Sequence, residues 1–105
     1  MLYMIYGVDN PETSVEIRDA QRENHFDYLK QHQDIMVLGG ATLADEDDTR
    51  TGSVLIVNVS NRAAADKFAN NEPFRKAGLF GSVTVTRRRR GQWNPDAAPN
   101  SAQGD

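Results

Sequence analysis

Ser53-Val-Leu-Ile-Val-Asn-Val59 is rich in β-formers and apolar at successive positions, so the strand it predicts has two faces to cover. Upstream, Ala44-Asp-Glu-Asp-Asp-Thr-Arg-Thr-Gly52 is a polar, hairpin-like loop. It leads back to Ile35-Met-Val-Leu-Gly-Gly-Ala-Thr-Leu43, a second strand whose Gly39-Gly40 pair predicts a bulge or a close backbone approach. Downstream, Ser60 is placed to cap a helix running from Asn61 to about Asn70, with Ala64, Ala65 and Phe68 on its buried side. Pro73 and Gly78 then mark the start and stop of a short helical turn before a strand from Leu79 to about Arg88. At the other end of the chain, Leu2–Val8 reads as a strand that Asp9-Asn10-Pro11 stops.

Between the first two strands, Glu12–Gln33 reads as one amphipathic helix capped by Thr13 or Ser14. At about 100° per residue Val15, Phe26 and Leu29 form an apolar stripe, with Arg22 inside it and His25 at its edge towards Tyr28. Glu16, Asp19, Glu23, Asp27 and Lys30 collect on the opposite, wet face. An arginine and a histidine on the dry side need partners, because a buried unpaired charge costs several kcal/mol.

The element order β-α-β-β-α-β predicts an α+β, ferredoxin-like domain: a four-stranded antiparallel sheet with two helices on one face. The domain spans residues 1–90, and residues 91–105 form a polar tail. Two helices cover one face of a sheet whose strands are apolar on both, so the open face is expected to meet a second copy in a homodimer.

The composition is that of an ordinary globular chain of 105 residues. Without cysteine there is no disulfide, thiolate metal site or thiol nucleophile, and two histidines leave little for a metal centre. No metal or cofactor is therefore expected. The apolar opening Met1–Tyr6 has no basic leader and is too short for a signal-peptide core or a membrane span, so a cytoplasmic protein is expected. The net charge of −3 argues against polyanion binding. Arg87–Arg90 lacks an aromatic platform, and it is matched by the acidic run Asp45–Asp48, with which it is expected to pair within or across the dimer. Trp93 is expected to anchor the tail to a partner or to reach a pocket mouth. His32, near a helix end, is expected to be exposed.

Five motifs occur in one order over roughly residues 1 to 88: Leu2-Tyr-Met-Ile-Tyr6, Arg22-x-x-His25-x-x-Tyr-Leu29, Gly39-Gly40, Gly52-Ser53 and Glu72-Pro-Phe-x-x-Ala-Gly-Leu79. Together they resemble the YCII (YciI-like) family. The resemblance implies a ferredoxin-like fold pairing as a dimeric α/β barrel, and a small-molecule pocket holding a histidine and an acid. One branch of that family removes chloride hydrolytically from a chlorinated hydroxyquinol-type aromatic. By the resemblance the family's histidine is His25 and its arginine Arg22, while its Asp-Pro-Phe/Tyr motif is Glu72-Pro73-Phe74, a methylene longer in the acid. The frequent Gly-Pro after strand 2 is Gly40-Ala41 here, which alters the expected loop shape.

A histidine beside a carboxylate makes an acid-base pair, because the carboxylate fixes the ring's orientation and tautomer. His25 and Glu72 are the expected catalytic pair. Arg22 would hold an anionic or enolate-like oxygen, with Gly40 and Ser53 completing the substrate site. The expected chemistry is hydrolytic or isomerising proton transfer on an aromatic or enolisable substrate. The contrasting expectation is a non-catalytic dimeric module that binds a metabolite or uses an Arg22–Glu72 salt bridge to fasten helix to turn. A third expectation, a haem- or oxygen-handling relative on the same barrel fold, has one axial histidine as its only support.

Overall fold

The structure is a computed structural model and is described here for residues 1–104. Its elements are β1 (Leu2–Asp9), α1 (Ser14–Gln31), β2 (Met36–Leu43), β3 (Arg50–Asn58), α2 (Arg62–Asn70), α3 (Pro73–Lys76) and β4 (Phe80–Arg88), followed by a 3-10 turn at Pro95–Ala97. The strands form one antiparallel sheet in the order β2-β3-β1-β4, the ferredoxin-like arrangement expected.

β1 explains why its sequence is apolar throughout. Tyr3 and Ile5 point to the helices and join Leu55, Val57, Ala65, Phe68 and Ala69 in the core. The alternate residues Leu2, Met4, Tyr6 and Val8 point away, beside Val54 and Ile56 of β3. Gly52 lets the start of β3 pair closely with the end of β1, since a Cβ there would sit 2.3 Å from the Gly7 carbonyl oxygen. Further on, Gly78 ends α3 with φ of 81°, which a residue with a side chain rarely adopts.

Three local expectations need correction. The register shifts of β2 fall at Met36/Leu38 and Thr42/Leu43 rather than at the glycine pair. Asn61, not Ser60, caps α2, its side chain accepting the Ala64 N–H at 2.9 Å. Thr13 sits at the N-cap of α1 without capping it, and the Ser14 hydroxyl donates to Asp9 at 2.6 Å.

The larger correction is the face of α1. Val15 is 70% and Phe26 59% exposed, and Arg22 is exposed with them. The packed face instead carries Ser14, Ile17, Arg18, Gln21, His25, Tyr28, Leu29 and His32. That face is mostly polar, so apolar periodicity could not find it. What selects it is a buried carboxylate on β1, since Arg18 donates to both oxygens of Asp9, at 2.8 and 3.0 Å, and to the Gly52 carbonyl at 2.9 Å.

His32 is half-buried, with Nδ1 2.8 Å from the Tyr28 carbonyl and its ring against Tyr28 and Phe68. Among the described residues no carboxylate of the chain pairs with Arg87–Arg90, and Arg90 lies 5.5 Å from the centre of the exposed Trp93 ring. No helix among the described residues is long and apolar enough to cross a membrane.

Candidate active site

His25 projects from the middle of α1 towards the turn between α2 and α3, where Glu72 waits at the N-cap of α3. The two are in direct contact: the His25 Nδ1–H donates to Glu72 Oε1. Glu72 is 4% exposed, and its other oxygen accepts the Arg75 backbone N–H at 3.1 Å, which is the capping bond of α3. The carboxylate is thus held from one side and holds the imidazole from the other. Phe74 adds a second constraint, stacked on the His25 ring with centroids 4.0 Å apart and planes 14° from parallel. With Nδ1 committed as a donor, Nε2 is the ring nitrogen left to accept or return a proton.

His25 opens onto a cleft of about 420 Å³ between α1 and the β2–β3 half of the sheet. Phe26, Leu29, Met36, Leu55 and Phe74 supply apolar surface, and Arg18, Arg22, Lys30 and Arg50 supply cations, while no carboxylate lines it. Gly40 and Ser53, both expected in the substrate site, lie in its wall. A Cβ on Gly40 would meet nothing within 4 Å, whereas one on Gly39 would come 2.8 Å from the Leu55 side chain. Of the pair, Gly39 is therefore the one where an added side chain would make the Leu55 side chain shift. Ser53 is buried and also borders a small void of about 20 Å³ shared with Glu72.

The expected partnership of Arg22 with Glu72 does not form. Arg22 lines the cleft but donates to the exposed Asp19 at 2.9 Å, one turn away on its own helix. The buried arginine is Arg18, which sequence reasoning missed together with Asp9, read only as the end of a strand. The Arg18 guanidinium also lies 5.3 Å from the centre of the Phe74 ring, so Phe74 touches the ion pair and the histidine alike. A usable signal existed in the spacing Ser14, Arg18, Gln21, His25, which is helical but carries no apolar residue. Tyr28, one turn beyond His25, donates its hydroxyl to the Phe68 carbonyl at 2.8 Å. Burial, and then the negative charge of Glu72, push its phenol above the ordinary 10.0.

Known proteins match this architecture. The chain is 35% identical to an uncharacterized protein of Haemophilus influenzae over 92 residues, 81% of this chain and 93% of that one. Among solved structures it is similar to 5-chloro-2-hydroxyhydroquinone dehydrochlorinase (TftG) from Burkholderia phenoliruptrix AC1100, solved in complex with 2,5-dihydroxybenzoquinone. The similarity has a TM-score of 0.80 at 34% identity and covers 87% of this chain and 96% of that one. The model of the YCII-related domain matches residues 1–89, and the chain belongs to that family.

Proposed function

We propose that this protein is a homodimeric acid-base enzyme acting on a small anionic aromatic or enolisable substrate, with His25 as the proton carrier and Glu72 as its positioning partner. The observation that carries the reading is a ring fixed on one edge by a buried carboxylate and on one face by Phe74, beside a cleft lined by cations. A base held in this way loses little freedom on reaching the transition state. Arg22 stands one helical turn from His25 and can hold the substrate oxygen that becomes negative.

The similarity to a dehydrochlorinase supports the elimination of hydrogen chloride as a first reaction to test. In that reaction a chlorinated hydroquinone passes into a keto tautomer. With that tautomer's new hydrogen on the chlorine-bearing carbon, His25 Nε2 takes the remaining hydroxyl proton, the oxygen's electrons form a second carbonyl, the adjoining ring C=C electrons shift to make a new double bond to the chlorine-bearing carbon, and chloride leaves with the electrons of the C–Cl bond. Isomerisation needs the same residues, with the proton returned to carbon. Chloride release and quinone absorbance with 5-chloro-2-hydroxyhydroquinone would follow the elimination, and His25→Ala should abolish both while the far-UV circular dichroism is unchanged. Undiminished turnover by His25→Ala would sink the proposal.

One observation favours the non-catalytic reading. Glu72 caps α3 as well as binding His25, so the pair also fastens α1 to α3. On that reading His25→Ala would lower the melting temperature, and there would be no activity to lose. The homodimer is part of the proposal because the open sheet face presents Leu38 at 58%, Val8 at 39% and Tyr6 at 38% exposure, next to Met4, Val54 and Ile56. Closing this face with a second copy would give the dimeric barrel. Light scattering at micromolar concentration should report twice the chain mass, and Tyr6→Lys should lower it to one.

A further inference from the structure

We infer that the substrate carries a second anionic group, of the carboxylate type, and that Arg50 is the residue that selects for it. The inference rests on reading this cleft as the substrate site. α1 forms one wall from Arg18 to Lys30, and the bond from Arg18 to the Gly52 carbonyl fixes which end of that wall faces the start of β3. Arg22 and Arg50 therefore stand at the same end of the cleft and His25 further along, roughly one turn of helix, about 5 Å, beyond Arg22.

The cations there differ in what already neutralises them. Arg18 is 8% exposed and meets both oxygens of Asp9, so it has little left for a ligand. Arg22 has one exposed partner, Asp19. Arg50 has neither an ion pair nor a side-chain hydrogen bond among the described residues. Yet it follows the four consecutive acids Asp45–Asp48 by two residues, so carboxylates were within easy reach along the chain. It is exposed and lines the cleft, and on its other side borders a second cavity of about 600 Å³ shared with Asp19 and Asp48, with neither of which it forms an ion pair.

The volume agrees with a substituted ring. At about 30 Å³ per water the cleft of about 420 Å³ holds on the order of fourteen waters, well beyond a bare six-membered ring. If Arg22 holds the oxygen that reacts at His25, Arg50 is the forked donor left for a carboxylate on the same ring.

Paired ligands test this without turnover. Binding of 2,5-dihydroxybenzoate and of hydroquinone, which differ by the carboxylate, would be measured by calorimetry and by NMR shifts of the His25 ring protons. The wild type should bind the benzoate at least about tenfold more tightly, and Arg50→Gln should remove most of that ratio while leaving hydroquinone within about twofold. Arg50→Lys should restore part of it. Equal affinities in the wild type, a ratio that survives Arg50→Gln, or binding of neither ligand would each overturn the inference. A protein that discriminates but gives His25-independent turnover would refute the acid-base reading alone. One that turns over through His25 without discriminating would refute the role of Arg50 alone.

Discussion

Arg18 and Arg22 are the same residue one turn apart on one helix, and the fold uses them in opposite ways. Arg18 is buried against Asp9 and the Gly52 carbonyl, with the Ser14 hydroxyl on the same carboxylate, so α1 is locked to β1 and β3 at its N-terminal end. Arg22 is exposed, pairs loosely within its own helix and borders the cleft. The difference comes from what each meets: a strand-end carboxylate buried on β1 in one case, open space in the other. A charged side chain on this helix becomes structure where a buried opposite charge satisfies it, and stays available to a ligand where none does.

The sharpest way to break that comparison is to truncate both arginines. Arg18→Met should destabilise the protein by about 3–5 kcal/mol, because Asp9 would be left buried with the Ser14 hydroxyl as its remaining side-chain partner. A domain of this kind is stable by about 5–15 kcal/mol, so the loss would be plain in a urea titration. Arg22→Met should stay within about 0.5 kcal/mol, since its ion pair is exposed. Equal losses at the two sites would mean that burial does not divide their roles.

His25 lies between the extremes, half-buried and paired, yet facing the cleft. His25→Gln should cost about 1 kcal/mol of stability through a weakened bond to Glu72. It should lower kcat by about 10²–10⁴, the range of general acid-base catalysis. A stability loss matching that of Arg18→Met, with no kinetic effect, would move His25 to the structural side.

The same division explains how much could be read from the chain. The strands were legible because short continuous runs of β-formers such as Val54–Val57 state directly that both faces of the sheet are apolar. The turn Glu72–Gly78 was legible because proline and a positive-φ glycine punctuate it. His25 and Glu72 were found as a pair through a motif order, and Nδ1 does meet the carboxylate. The helix face was misread because Val15 and Phe26 are apolar but outward, whereas the packed face is built from Ser14, Arg18 and Gln21. Such a face is stabilised by hydrogen bonds to a distant strand, and the chain gives no local sign of a partner nine residues away in β1. Arg50 was hidden for a similar reason, since beside four acids it reads as a loop ion pair rather than a cleft residue.

Tyr28 offers a milder test, by pH. Burial and the charge of Glu72 raise its phenol, so the folded state holds the proton more tightly than the unfolded chain. Below the ordinary 10.0 this contribution is fully present. As the pH rises beyond it the unfolded chain loses its proton first, and stability falls until the folded phenol also ionises. Tyr28→Phe should lower stability at neutral pH by about 1 kcal/mol through the lost bond to the Phe68 carbonyl, and should flatten this alkaline decline. An unchanged decline in the variant would place its origin elsewhere.

Asp47 gives the smallest effect and the opposite sign. It is fully exposed, and the Thr49 side chain and then the Thr49 N–H, at 2.9 Å from Oδ1, lower its carboxyl below the ordinary 3.8. The folded state therefore binds this proton more weakly than the unfolded chain. Stability from the contact is present above 3.8 and is lost as the pH falls through the lower folded value. Asp47→Asn should slightly reduce the urea midpoint at neutral pH and converge with the wild type in strong acid. Because Asp47 lies two residues from Thr49 and three from Arg50, the same variant also probes the arginine's independence. If Arg50 serves the cleft and owes nothing to the acidic loop, Asp47→Asn should leave the preference for 2,5-dihydroxybenzoate intact. A change in that preference would make the loop, rather than the cleft, the setting in which Arg50 has to be understood.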